Sequence, residues 1–137
     1  MPPKKRKVQK KRSLEISTEA TRILRTVNDE QAFYFYEDFG KPTGENAKSL
    51  SDFLEKTKSV KLESLLFHLQ RKDFKNWIEK TLGDLELARK LERIPHSSNE
   101  NLRTRIQTIL ENRIKELRKA STTLLVKEEL ALASSIS

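Results

Sequence analysis

The sequence contains no cysteine, three glycines, four prolines and two histidines, His68 and His96. Without cysteine there is no disulfide framework, no thiolate zinc site and no cysteine nucleophile. So few histidines argue against a histidine-rich metal site, and so few glycines against a glycine-rich nucleotide loop. The apolar runs fall far short of the ~20 residues that cross a bilayer, and no apolar stretch follows the charged start, as a secretory signal requires. We therefore expect a soluble, cytoplasmic protein.

Positive charge is concentrated in the first twelve residues. This segment holds seven of the 28 basic residues and none of the 20 acidic ones. The remaining chain carries 21 basic and 20 acidic residues and is nearly neutral. Because the segment has too little apolar surface to offset the entropy of ordering, we expect a disordered arm over residues 1–12. Its cations are Lys4, Lys5, Arg6, Lys7, Lys10, Lys11 and Arg12.

Seven cations in twelve residues are typical of a segment that contacts phosphates. If all seven engaged duplex DNA, the logarithm of affinity would fall against the logarithm of salt with a slope of about −6. Lysine outnumbers arginine, which favours contact with the nucleic-acid backbone over bidentate reading of bases. An alternative stays open, because Pro2–Val8 resembles a short monopartite nuclear-localisation signal. The arm would then be a targeting signal or a tag, and a true signal would place the protein in the nucleus.

The first part of the body predicts one helix followed by a short aromatic strand. Ser17 is the expected N-cap of the helix, which ends at Asn28-Asp29. Its apolar face is formed by Ala20, Ile23, Leu24 and Val27. Residues 32–36 contain four consecutive aromatics and favour one extended segment, with residues 39–44 as a loop. These aromatics, together with Phe39, could stack on exposed bases, but core packing is the favoured interpretation, with Tyr34 or Tyr36 as the exposed member.

Several short helices follow, separated by recognisable end signals. Ser49 and Asp52 resemble a capping box, and a break is expected near Ser59. Asp73 is the expected cap of a helix that Gly83 ends. Asp84 begins the next helix, and residues 95–99 form a linker.

The last segment predicts a long amphipathic helix from about Glu100 to Leu132, or two helices with a break near residues 121–123. Its apolar seam contains Ile106, Leu110, Leu117 and Leu124, and it either packs back on the core or reaches out to a partner. Basic residues outnumber acidic ones along it, and we select Arg103 and Arg113 as candidate phosphate contacts. We expect Ala133–Ser137 to fray.

No set of residues predicts catalysis. A catalytic histidine needs an orienting acid and a nucleophile or water within reach. Glu63 and Asp73 could orient His68, but no nucleophile is apparent, so a structural role is favoured. The adjacent acids Glu37 and Asp38 do not make a metal site. We therefore expect a protein that is not an enzyme and binds no cofactor or metal.

Residues 32–94 carry an ordered series of short motifs that resembles a small archaeal helical domain family of unknown function. The resemblance implies a small, mainly helical module, sometimes attached to other domains, and an archaeal source. It implies no activity or ligand, although it gives weight to Phe67-His68 and to Asp73, Phe74 and Trp77. The motifs are AFYFY (32–36), GKPTG (40–44), SLSDF (49–53), ESLLFHL (63–69), RKDFKNWI (71–78) and LGDLELA (82–88).

These observations together predict a mainly α-helical single domain over residues 13–132, with one short aromatic strand. The length suits one domain, which can bury roughly two thirds of its unfolded surface. The leading function is non-enzymatic association with nucleic acid, in a ribosome or other ribonucleoprotein or on chromosomal DNA, with RNA slightly favoured. The alternative is a protein-interaction or scaffold module that uses the C-terminal helix. The expected core comprises Ile23, Leu24, Phe33, Phe35, Phe53, Leu65, Leu66, Leu69, Phe74, Trp77, Ile78, Leu87 and Leu91.

Overall fold

The structure is a computed structural model that describes the backbone of residues 15–136 and the side chains of residues 15–122. A first helix, α1, covers residues 15–23. It is followed by strands β1 (Phe33–Asp38) and β2 (Lys41–Ala47). The remaining elements are helices α2 (Leu50–Ser59), α3 (Leu62–Gln70), α4 (Asp73–Trp77), a π-helical turn (Ile78–Leu82), α5 (Leu85–Glu92) and α6 (Asn101–Ile136). The mainly helical class predicted from the sequence is confirmed.

The aromatic strand has a partner that the sequence did not predict. β1 pairs antiparallel with β2, with Phe33 opposite Ala47 and Tyr36 opposite Pro42. The loop predicted over residues 39–44 is therefore wrong, because the turn comprises only residues 39 and 40. Gly40 supplies the positive φ of this turn, at +69°. Pro42 and Gly44 are poor strand formers, and they are tolerated here because the short strand is paired on one side only.

Three predicted helix boundaries are also wrong. Ser17 lies inside α1, buried, and is not its N-cap. The helix ends at residue 23, well before Asn28, because the chain then extends and the Val27 N–H donates to the Lys48 carbonyl at 2.7 Å. Asp73 is the first residue of α4, and its cap position is held by Lys72 in a left-handed conformation with φ +62°. The Asp73 carboxylate binds neighbouring side chains instead of the helix end.

The predicted boundaries at Ser49, Gly83, Asp84 and residues 95–99 are confirmed. Ser49 accepts a hydrogen bond from the Asp52 N–H at 3.1 Å, and Asp52 accepts one from the N–H of Lys48, one residue earlier than in the usual capping box. Gly83 ends the π-helical turn with φ +86°, and its N–H donates to the Ile78 carbonyl. Asp84 caps α5 by accepting from the Leu87 N–H. Residues 95–99 form the non-helical linker before α6.

Helix α6 packs back on the body along residues 102–117. Its buried face repeats every three or four residues through Leu102, Ile106, Leu110, Ile114 and Leu117. The backbone is helical without a break from Asn101 to Ile136, so the interruption expected near residues 121–123 is absent. The segment expected to fray, 133–137, has helical backbone up to Ile136, and Ser137 lies outside the described residues.

One hydrophobic core joins these elements. Eleven of the thirteen predicted core residues are buried, and Leu24 and Leu66 are partly buried against it. The aromatic centre consists of Phe33, Phe35, Phe53, Phe74 and Trp77 with ring centroids 4.8–6.3 Å apart. Tyr34 and Tyr36 lie on the opposite face of β1 with 47% and 37% of their surface exposed. This alternation confirms the predicted packing of the aromatic run.

Candidate nucleic-acid interface

The basic arm carries the strongest sequence signal. Its cations, Lys4, Lys5, Arg6, Lys7, Lys10, Lys11 and Arg12, lie outside the described residues. The first described helix, α1, is tied to α6 by a 2.9 Å hydrogen bond between the Thr21 and Ser121 hydroxyls.

The surface of α6 near this point is basic. Lys115, Arg118 and Lys119 are exposed there, and Glu116 is the one acid among residues 115–119. Glu116 is already paired with Arg113 at 3.0 Å. The guanidinium of Arg118 donates to the Ser51 hydroxyl at 2.9 Å, which holds its charge beside the start of α2. The exposed surface of α6 over residues 115–119 therefore carries a net positive charge.

Arg103, selected from the sequence as a phosphate contact, binds the body of the protein. Its Nη1 donates to the carbonyls of Thr57 and Val60 at 2.7 Å each, and its Nε donates to Glu100 at 2.9 Å. The two carbonyls lie at the end of α2, where helical carbonyls lack intrahelical partners. Arg103, which lies on the neighbouring helix α6, therefore caps the C-terminal end of α2.

Arg113, the other selected residue, forms a buried ion pair with Asp84. Its Nε and Nη2 donate to the two carboxylate oxygens at 2.7 and 3.0 Å. The Asp84 side chain is 1% exposed and that of Arg113 is 14% exposed. Burial acts to lower the pKa of Arg113, but the hydrogen bonds that Arg113 donates to Asp84 and the negative charge of Asp84 outweigh burial and raise the pKa above its ordinary value. The pair links the start of α5 to α6, which indicates a structural role for Arg113.

His68 joins the edge of β1 to the loop between α3 and α4. Its Nε2 accepts the Tyr36 backbone N–H at 2.8 Å, so the proton of the neutral ring lies on Nδ1. Nδ1 then donates to Asp73 at 2.9 Å. Burial is the main cause that lowers the pKa of His68, although Asp73 opposes it. Both ring nitrogens are used, and this supports the structural interpretation made from the sequence.

An exposed aromatic cluster lies at the tip of the hairpin. Phe39 is 75% exposed and makes an edge-to-face contact with Phe67 at 5.4 Å. The guanidinium carbon of Arg71 lies 4.7 Å from the Phe39 ring centroid and 5.0 Å from that of Phe67. We call Phe39, Phe67 and Arg71 the hairpin platform.

A groove lies between the end of α5 and the first turns of α6. Its volume is about 450 Å³ and its floor is apolar, formed by Ile94, Pro95 and Ile109. Three cations line it without any acid: Lys90, Arg93 and Arg105. The side chains of Arg93 and Arg105 make no hydrogen bond or ion pair with other described residues. We call this the α5–α6 groove.

Comparison with known proteins gives one match. Residues 9–111 match the DUF5752 family, a family of unknown function. The chain belongs to the DUF5752 family. The sequence prediction of a small domain family of unknown function is thereby confirmed, while its archaeal source stays a prediction. No curated protein and no solved structure matches the chain.

The DUF5752 match extends beyond the resemblance read from residues 32–94. It takes in the last four residues of the arm, helix α1 and the first turns of α6, and ends at Glu111. Arg103 therefore lies within the family region and Arg113 lies just beyond it. The α5–α6 groove lies wholly inside the matched region.

The described part of this DUF5752 protein offers neither a metal site nor a membrane-spanning helix. In residues 15–122 no three histidine, aspartate or glutamate side chains lie close enough together to hold a metal ion. Among the described helices, none combines the length and apolar character needed to cross a membrane.

The core packing favoured from the sequence is wrong for Phe39, because 75% of its surface is exposed. The sequence predicted neither Phe67 and Arg71 as neighbours of Phe39 nor the groove. Phe39 next to Gly40 gave a local signal, because a large apolar side chain in a tight turn has little to pack against. The groove gave none, since Lys90 and Arg93 are separated from Arg105 by the linker. Only the packing of α6 against α5 brings these cations together.

Proposed function

We propose that this chain is a non-enzymatic nucleic-acid-associated protein whose basic arm contacts phosphates without sequence specificity. The observation that carries the proposal is the segregation of charge: seven cations and no acid in residues 1–12, against 21 basic and 20 acidic residues in the rest. Such an arm releases condensed counterions on binding, which drives association with any phosphate backbone. We place it in a ribonucleoprotein such as the ribosome, or on chromosomal DNA, with RNA favoured by analogy alone.

The body supports a division of labour between the arm and the folded domain. Arg103 donates hydrogen bonds to the carbonyls at the end of α2, and Arg113 donates to the Asp84 carboxylate. They are therefore poor phosphate ligands unless the fold opens. Lys115 and Arg118 are exposed cations of the body on α6, and Arg118 uses one donor on the Ser51 hydroxyl. We infer that the arm supplies most of the affinity and the body supplies shape.

A charge-substituted arm tests the proposal without changing chain length. Replacing the seven arm cations by serine should remove most affinity for both duplex DNA and structured RNA, and should flatten the dependence on salt. Replacing Lys115 and Arg118 by serine should weaken binding by a smaller factor. Full affinity in the serine-substituted arm would refute the proposal.

A second function is favoured by the α5–α6 groove: binding of a protein partner through the C-terminal helix. The apolar floor and the unpaired Arg93 and Arg105 suit an acidic segment that carries a bulky apolar side chain, because charge and apolar surface are both complemented. In this case the arm is a targeting signal or a tag.

Peptide titration separates the two functions. A short peptide of alternating aspartate and leucine should bind the wild-type chain and lose affinity for an Arg93→Glu/Arg105→Glu variant. A matched peptide with serine in place of leucine should bind more weakly. Equal affinity of wild type and variant for the leucine peptide would rule out the groove as its site.

A further inference from the structure

The hairpin platform exposes an aromatic ring at a position where the fold does not require one. The positive φ of the turn is supplied by Gly40, so Phe39 has no backbone role that another residue could not fill. A phenylalanine side chain stabilises a fold chiefly by leaving water, and Phe39 leaves three quarters of its surface exposed. Its side chain is therefore available to a ligand.

The cation of the platform is held in place by contacts on several sides. The Arg71 guanidinium carbon lies 4.7 and 5.0 Å from the centroids of the Phe39 and Phe67 rings, which are 5.4 Å from each other. Its Nε donates to Asp73 at 3.1 Å. The two Nη groups donate to none of the described residues. Arg71 thus presents free donors in a fixed orientation next to an exposed ring.

A chain of hydrogen bonds connects this orientation to the buried core. The Tyr36 N–H donates to His68 Nε2, and His68 Nδ1 donates to the Asp73 carboxylate that also accepts from Arg71. His68 is buried among the rings of Phe33, Phe35 and Phe74. The platform is therefore connected by hydrogen bonds to the buried core. This connection reduces the side-chain conformational entropy that Arg71 would lose on binding a ligand.

We propose that the hairpin platform binds an unstacked nucleobase, which stacks on Phe39 while Arg71 donates to the adjoining phosphate or base edge. The inference rests on the proposed function and narrows it to single-stranded segments, such as loops of RNA. Bases stack on aromatic rings irrespective of their identity, so the platform adds affinity without sequence preference. In duplexes the bases are stacked on one another and cannot reach Phe39.

The arm can serve the same strand that the platform holds. Residues 1–14 can span at most about 50 Å when fully extended. An arm of this length can contact phosphates of a strand that also places a base at the hairpin. A protein partner would also suit an aromatic–arginine cluster, but it would leave the arm without a role.

The test compares single-stranded and duplex ligands with variants of the full chain. The probes are a 15-nucleotide uridine oligomer carrying one central 2-aminopurine, whose fluorescence falls on stacking, and a duplex of the same length. Phe39→Ala should weaken binding of the oligomer by roughly 5- to 150-fold, the effect of losing one stacking aromatic. It should also abolish the quenching at saturation, and leave duplex affinity unchanged. Arg71→Gln should weaken binding of the oligomer by a smaller factor.

A matched control variant is Leu85→Ala, since Leu85 is another large apolar residue, 44% exposed on α5. It should change neither affinity. Fluorescence of the buried Trp77 reports whether each variant is folded. If a folded Phe39→Ala variant instead binds the oligomer and quenches 2-aminopurine fluorescence as the wild type does, base stacking on Phe39 is refuted.

The outcomes separate this inference from the function on which it rests. If the serine-substituted arm loses affinity for both ligands while Phe39→Ala keeps its affinity for both, the result supports nucleic-acid binding by the arm and refutes base stacking on the platform. If the wild-type chain binds neither ligand at 0.1 M salt, both the proposed function and the base-stacking inference are refuted. If Phe39→Ala instead shifts only the self-association measured by sedimentation, the hairpin is a protein interface and the inference is wrong.

Discussion

Substitution of Arg113 by methionine should destabilise the fold strongly while leaving nucleic-acid affinity unchanged. The change removes both guanidinium hydrogen bonds to a carboxylate that is 1% exposed. Asp84 would retain only the Leu87 N–H as a partner. Methionine keeps most of the side-chain volume, so the effect reports the lost charge and not a cavity.

The magnitude follows from the burial of the stranded carboxylate. Removing one partner of a buried ion pair costs about 3–5 kcal/mol. The contacts of Arg113 with Glu86 and Glu116 add little, because both carboxylates are more than half exposed. We expect the free energy of unfolding to fall by about 3 kcal/mol, at the low end of this range, since Arg113 itself keeps some contact with solvent. For a chain of this length that lowers the melting temperature by about 12 °C.

Urea unfolding followed by Trp77 fluorescence measures this loss. With a slope of about 1.5 kcal/mol per molar urea, the midpoint should fall by about 2 M. The matched control is Arg105→Met on the same helix, which removes an exposed arginine without described partners and should change stability by less than about 0.5 kcal/mol. Equal midpoints for the two variants would refute the structural role of Arg113. A large loss of nucleic-acid affinity in a folded Arg113→Met variant would do the same.

Three further changes should affect stability. Because burial lowers the pKa of His68, the unfolded chain binds a proton below about pH 6.5 that the folded chain does not. Unfolding free energy measured in urea should therefore fall between pH 7.5 and 5.5, and a His68→Gln variant with the same slope would contradict this. Gly83→Ala should cost about 1–2 kcal/mol, because φ is +86° and the new Cβ would lie 2.8 Å from Arg22 Nη2. No loss in calorimetry would show that the turn relaxes. Arg103→Ala should cost about 2 kcal/mol by leaving two α2 carbonyls without their donor, and a midpoint equal to wild type would show that water replaces it.

Local signals in the sequence were sufficient for most helix ends. Ser49 and Asp84 are side chains that cap whichever helix follows them, and Gly83 readily adopts the positive φ that ends a helix. These preferences act within four residues and need no tertiary information. The alternation of Phe33 and Phe35 with the two tyrosines likewise depends only on the period of a strand.

The errors occurred where distant groups determine the local structure. β2 contains Pro42 and Gly44, and it forms because β1 offers it a partner. Aspartate is a common helix-capping residue, but the Asp73 carboxylate accepts hydrogen bonds from His68 and Arg71 instead of from the start of α4. Arg113 looked like a solvated cation because nothing near it in sequence reveals the buried Asp84, 29 residues away.

The salt dependence of binding tests the central claim most directly. Affinity for a structured RNA should be measured between 50 and 300 mM salt for the intact chain and for a variant lacking residues 2–12. The account predicts a logarithmic slope near −5 or −6 for the intact chain, which collapses towards zero on truncation together with most of the affinity. A truncated chain that keeps the affinity and the slope would contradict the claim that the arm is the phosphate-binding element.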